Sequence, residues 1–284
     1  MSKAAIIADL KARIAACEAP GAHGAEAAAP GPISLGHAAL DAALPGGGLK
    51  RGGLHEVSAA EYRDMGAATG FLAALAVRCQ QAAGNGMSGG APLLWCQLAS
   101  PPFDTGPLYA PGLAGFGLDP ARLILASPAK PVELLWVLEE ALRAGALSGV
   151  VGEIDGRSAT FDLTATRRLQ LAAEETGTPV LLFTGHRREG EGGASAAVTR
   201  WTVGPAPGHV DPAEDFFRRD FPGLVGSPCW YVRLGKVRGG APAAWHLRWK
   251  AAEGAFDMAE GAAAEAVSPP AEDEATVLAM RRTG

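Results

Sequence analysis

Apolar residues follow two rhythms along this chain. Ile6, Leu10 and Ile14 recur every fourth position among Lys3, Asp9, Lys11 and Arg13, which predicts a short amphipathic helix over residues 1–17. Residues 18–32 are mainly Ala, Gly and Pro with little to bury, and read as a flexible linker. From Ile33 the pattern changes to short apolar runs separated by helical stretches. A short helix around Leu40 and a glycine turn lead to a strand at Leu54 to Val57. Further strands are expected at Pro92 to Gln97, Leu123 to Ala126, Gly149 to Ile154 and Val180 to Phe183. Between them, helices are predicted over Ala67 to Ala83, Glu133 to Gly145 and Asp162 to Thr176, the last stopped by Gly177 and Pro179. Continuous apolar strands alternating with helices predict an α/β fold, a mainly parallel sheet covered on both faces.

After Phe183 no long helical pattern intervenes. Trp230 to Leu234 and Trp245 to Trp249 alternate like antiparallel strands, so the C-terminal third of the body is expected to extend the sheet with antiparallel strands. The body is taken as residues 33–258 with a hairpin at about 229–250, and residues 259–284, holding Pro269, Pro270 and an acid cluster, as a disordered tail.

Composition sharpens this plan. The 284 residues are 48% hydrophobic and 19% charged, enough apolar content for one large core. No apolar run approaches the ~20 residues of a membrane-spanning helix, and the start lacks signal-peptide features, so a soluble cytoplasmic protein is expected. Cys17, Cys79, Cys96 and Cys229 form no C-x-x-C pair and read as small buried hydrophobes, with no metal site indicated. The formal charge of −5 falls entirely after Lys250, where Glu253, Asp257, Glu260, Glu265, Glu272, Asp273 and Glu274 face only Arg281 and Arg282. Such an anionic end is placed to screen a basic surface beside it.

Candidate chemistry is sought first in the loop after the first strand, where a parallel sheet binds phosphate. The window matching G-x-x-x-x-G-K-[ST] is Glu61 to Ala68. Only Gly66 survives, for Glu61 replaces the first glycine, and Ala67 and Ala68 stand where lysine and hydroxyl belong. No lysine occurs anywhere from Arg51 to Ala129. No cofactor and no catalytic residue are therefore expected. The G-x-G-x-x-G at Gly84, Gly86 and Gly89 follows a helix and precedes a strand, the wrong order for a dinucleotide loop. Glu153 and Asp155, at an acidic strand end, are the carboxylates to test for a residual metal-orienting role, against a plain polar terminus facing solvent or the next turn. The six histidines show no metalloprotease spacing, and His55 reads as structural.

Gly223 to Lys250 is different. It carries Arg233, Lys236, Arg238, Arg248 and Lys250 with no acid, and interleaves Trp230, Tyr231, Trp245 and Trp249. Two readings stay open: a surface for DNA or an acidic partner, with Trp245 and Trp249 among its contacts, or an edge hairpin whose charges solubilise one face while its aromatics fill the core.

On these residues the chain resembles the ImuA family, RecA-like accessory proteins of bacterial damage-induced mutagenesis. The resemblance lies in ISLGHAALDAALPGGGLKRGGLHEV, LYAPGLAGFGLDPARLILA, GVVGEIDG and PCWYVRLGKVRGGAPAAWHLRW, between Ile33 and Lys250. It implies a RecA-type core without its Walker lysine, acting in translesion synthesis within the SOS response. The partners it implies are an inactive Y-family polymerase-like protein, an error-prone C-family DNA polymerase, the RecA recombinase and DNA. It also implies homo-oligomers docked through an N-terminal helix, here Ile6, Leu10 and Ile14. A non-catalytic adaptor is the leading expectation; a nucleotide-binding or weakly hydrolysing ATPase and a DNA-binding module are the alternatives.

Overall fold

The segment Leu54–Ala59 is buried along its whole length although it contains His55, Glu56 and Ser58, which makes it a central strand with both faces covered. In the computed structural model, which describes residues 31–84, 90–103, 105–186, 193–209 and 226–259, this strand is β1. It is followed by β2 (Leu93–Gln97), β3 (Leu123–Ala126), β4 (Gly149–Glu153), β5 (Val180–His186), β6 (Thr199–His209), β7 (Ser227–Val237), β8 (Ala243–Lys250) and β9 (Ala255–Met258). The helices are α1 (Ala38–Ala42), α2 (Met65–Ala82), α3 (Ala110–Gly115), α4 (Pro131–Arg143) and α5 (Leu163–Thr176). All nine strands form one sheet in the order β3-β2-β4-β5-β1-β6-β7-β8-β9. The chain is therefore α/β, with parallel pairing from β3 to β6 and antiparallel pairing from β6 to β9.

The expected C-terminal antiparallel strands are present as β7 and β8, with β9 beyond them. The sequence reading placed no strand at β6, which runs parallel to β1, with His55 beside Thr199 and Ala59 beside Val203, so the direction reverses only at β7. Beyond Val203, β6 continues with only β7 as partner, as far as the pair His209 and Ser227.

Each face has its own core. On one, Phe71, Leu72 and Leu75 of α2 pack against Trp95, Val151, Phe183 and Trp201, and the same cluster runs on to Trp230, Trp249 and Phe256. On the other, Leu134, Leu138 and Leu142 of α4 and Leu169 of α5 cover Leu94, Val150 and Leu182. That helical layer is held by polar ties as well. The buried Glu139 carboxylate takes both Arg143 of its own helix and Arg168 of α5. Gln170 accepts from Leu54 N–H at 2.8 Å and donates to Gly52 C=O at 3.1 Å, fixing α5 to the start of β1. Asp162 caps α5 by accepting from Ala165 N–H, and Gly177, at φ 72°, supplies the left-handed residue that ends it.

The far edge strand β9 is not bare. Phe256 N–H donates to Leu35 C=O, and Gly36, at φ 92°, lies so close that an added Cβ would stand 2.5 Å from that of Ala255. Among the described residues no helix is long and apolar enough to cross a membrane. The expected helix over residues 1–17, the linker as far as residue 30 and the tail after Ala259 lie outside the described residues, as do Ile6, Leu10 and Ile14.

Candidate functional site

The loop that would cradle phosphate leaves β1 at Ala59, and Ala60 N–H is taken at once by Val203 C=O at 2.8 Å. A 3-10 turn over Tyr62–Asp64 then enters α2 directly. Glu61 and Asp64 form a reciprocal capping box, with Glu61 N–H donating to Asp64 Oδ2 at 3.2 Å and the Glu61 side chain accepting in return from the Asp64 backbone. Arg63 sits on the Glu61 carboxylate at 2.9 Å. In the turn before the helix, where an ATPase would wrap phosphate, this chain's own carboxylates engage the Glu61 and Asp64 N–H groups and the Arg63 guanidinium. Ala68 is buried in the core, and around Gly66 there is open space. What remains is a cleft of about 320 Å³ lined by Tyr62, Arg63, Met65, Gly66, Thr69 and Thr105.

Glu153 stands one strand beyond β5, at the end of β4. It is 1% exposed, so the expectation of a terminus facing solvent is corrected. Its carboxylate points into the sheet, accepting from Trp95 Nε1 at 2.7 Å and Gln97 Nε2 at 3.1 Å. Burial pushes this carboxyl above its ordinary range, and the two hydrogen bonds oppose that only in part. As pH climbs above the ordinary value of 4.5, the unfolded chain releases this proton first and native stability falls. Urea unfolding at several pH values should therefore show wild type losing stability relative to Glu153→Gln as pH rises; parallel curves would mean that the group ionises alike in both states.

Asp155, by contrast, turns outward. Partial burial pushes its carboxyl up, but hydrogen bonds and charge from Arg157, with His186 nearby, bring it net below its ordinary value. His186 meets the Tyr62 ring edge to face at 5.4 Å, so Tyr62, Asp155, Arg157 and His186 gather at the carboxyl ends of β1, β4 and β5. Among the described residues no group of three His, Cys, Asp or Glu side chains is arranged to hold a metal.

The basic hairpin comes apart into two faces by strand alternation. Trp230, Val232, Leu234, Leu247 and Trp249 turn into the core. Trp249 is fully buried and donates Nε1–H to Phe116 C=O at 2.9 Å, so its expected place on a contact surface is corrected; Trp245 is half-buried, tilted against Trp201 at 6.2 Å. The basic residues lie on the opposite face, but unequally. Arg248 pairs with Asp257 at 2.8 Å and Lys250 reaches both Asp257 and Glu253 at 3.3 Å, so two acids counted with the C-terminal charge belong to the sheet and neutralise this end of it. Lys236 donates to Ser195 C=O and Arg238 to Ala196 C=O. Arg233 is half-buried on β7, opposite Thr202 and Ala244.

One feature escaped the sequence reading, and one aromatic it named, Tyr231, takes a place of its own. Arg200, cross-strand from Lys236, is held by the wholly buried Glu56 carboxylate at 2.8 Å, and Ser195 donates to the same carboxylate. Tyr231 is 46% exposed and meets His246 at a ring separation of 3.8 Å on the open side of the sheet. The signal for both was the two-residue period around Trp201 and Trp230: a neighbour of a core tryptophan must face the other way.

No family model matches the chain. It is similar to Protein ImuA of Caulobacter vibrioides, from strain NA1000 / CB15N and from strain ATCC 19089 / CIP 103742 / CB 15. Each is 36% identical over 226 residues, covering 76% of this chain and 82% of the relative. Among solved structures, the RadB recombinase superposes with a TM-score of 0.51 at 15% identity, over 80% of this chain and all of that one, which places the fold as RecA-like. With more than a third of residues shared across four-fifths of the relative, and a RecA-like sheet beneath them, the chain belongs to the ImuA family.

Proposed function

We propose that this protein is a non-catalytic adaptor of an error-prone translesion synthesis complex in the bacterial DNA damage response. The observation that carries the reading is the loop after β1, where Glu61 and Asp64 cap the turn and hold Arg63 in the place of a phosphate cradle. A carboxylate pair there repels a triphosphate, and the motif's lysine and hydroxyl are both missing, since Ala67 and Ala68 stand in those positions and the Thr69 hydroxyl after them donates to Met65 C=O. What a RecA-like core without hydrolysis retains is surface. Family membership supports assigning that surface to an inactive Y-family polymerase-like protein, an error-prone C-family polymerase and the RecA recombinase, with further copies of the chain in a cytoplasmic assembly.

Isothermal titration with ATP and magnesium tests this reading. No binding heat is expected from the full chain. Micromolar binding that Glu153→Gln or Asp155→Asn abolishes would replace the adaptor with a nucleotide-driven protein.

A further inference from the structure

The outer side of the helical layer is more apolar than a solvent-facing surface requires. α4 and α5 turn Leu134, Leu138, Leu142 and Leu169 toward the sheet, yet the positions squarely opposite are Trp136 on α4, 59% exposed, and Leu171 on α5, 49% exposed. Val132 and Leu163, nearer the helix starts, are exposed as well, so four large apolar side chains share one outer face. Val132 and Trp136 line, with Thr164 and Arg168 of α5, a cleft of about 390 Å³ that joins the two helices' contributions.

The charges of this face fall into two groups. Arg143 and Arg168 share the Glu139 carboxylate, Arg143 also holds Glu140, and Lys50 holds Glu174. Arg167 and Glu175 are both exposed, and among the described residues neither has an ion-pair partner. They stand four residues either side of Leu171, so the outer ridge of α5 reads Leu163, Arg167, Leu171, Glu175. At about 12 Å apart along the helix axis they are too distant to pair with each other.

We propose that this face is a homodimer interface, in which the α5 ridges of two copies cross antiparallel about a two-fold axis at Leu171. Rotation about that axis sets Arg167 of each copy against Glu175 of the other, while Leu171 meets its own copy. Leu163, Val132 and Trp136 supply apolar area around this centre. Ridges of this i, i+4 kind interdigitate in the commonest class of helix packing. A foreign acidic segment would satisfy Arg167 and repel Glu175, and a basic one would do the reverse. The sequence that answers both, in order and in spacing, is α5 itself run in the opposite direction. The ion pairs set register, and the apolar centre supplies affinity. The inference deepens the adaptor reading and rests on it for the presence of further copies in the assembly, but the two fail separately. A monomer that still co-purifies with a polymerase-like partner would sink the dimer alone, and a dimer that binds ATP would sink the adaptor alone.

Sedimentation velocity of the full chain between about 1 and 100 μM is the test, with a dimer expected within that range. Leu171→Glu, which sets two like charges against each other on the axis, should weaken association about a hundredfold. Arg167→Glu and Glu175→Arg should each weaken it about tenfold, and the two combined in one chain should restore it to within about threefold of wild type, because both ends of both pairs are exchanged. All three positions face solvent, and thermal melts check that each variant keeps its fold. As a second readout, a short bismaleimide spans helices packed about 8–10 Å apart and should trap Leu171→Cys as a dimer, in excess of wild type, whose Cys79, Cys96 and Cys229 are buried. A chain monomeric throughout the range, a dimer indifferent to Leu171→Glu, a double swap no tighter than either single change, or cross-linking no greater than in wild type would each overturn the proposal.

Discussion

Replacing Phe71 by Ala is expected to remove about 3–5 kcal/mol of unfolding free energy, measured by chemical denaturation with coincident fluorescence and circular dichroism transitions. Phe71 lies on α2, fully buried, and its ring meets Trp201 at 5.8 Å, Trp230 at 5.7 Å and Phe256 at 5.3 Å. Those partners belong to β6, β7 and β9. The side chain therefore joins the parallel part of the sheet to its antiparallel extension, and truncating it leaves a cavity that three large rings cannot close together. Set against a typical domain stability of about 5–15 kcal/mol, the loss is large enough to populate unfolded chain. A loss below about 1 kcal/mol would show that α2 and the extension repack around the gap.

Acidification is expected to cost about 3 kcal/mol through a single side chain. His55 is fully buried in β1, and its imidazole is pushed down from 6.5 to about 4, chiefly by burial. Its hydrogen bonds fix the neutral tautomer. Nε2–H donates to Lys50 C=O at 2.9 Å, and Nδ1 accepts from the Thr199 hydroxyl at 2.8 Å, while that hydroxyl oxygen itself accepts from Trp201 Nε1–H. A proton on Nδ1 would face a hydroxyl already arranged to donate. Since the unfolded chain takes up this proton at a higher pH than the native one, the stabilisation is complete above pH 6.5 and is lost progressively as pH falls toward 4. Unfolding free energies across that window should slope steeply in wild type and less so in His55→Gln. Equal slopes would place the acid sensitivity elsewhere.

How far the sequence reveals this molecule depends on whether a feature is local. The strand at Leu123–Ala126 and the end of α5 at Gly177 coincide with their predicted limits, because apolar runs, caps and glycine act within a few residues. β6 was missed: Gly204, Pro205, Pro207 and Gly208 carry no strand signal, and the pairing is imposed by β1 and β7. The lost lysine was legible as a missing letter. The replacement of phosphate by a capping box was not, because Asp64 gains its role only when the turn folds back onto Glu61 N–H. The tryptophans teach a related lesson. Composition placed Trp245, Trp249, Arg248 and Lys250 together, whereas the odd and even positions of β8 part them onto opposite faces.

The covering of β9 by the segment around Leu35 has a geometric consequence. The chain enters the described body and leaves it along one edge of the sheet, with Pro32 and Ala259 each only a few residues from that contact. Eight strand spacings, about 40 Å, separate this edge from β3, where Ile124 and Leu125 are exposed. The sheet is thus a ruler read from that edge. Labels at Pro32 and at Ala259 start from the same origin, and a second label on β3 would read the width of the sheet between them.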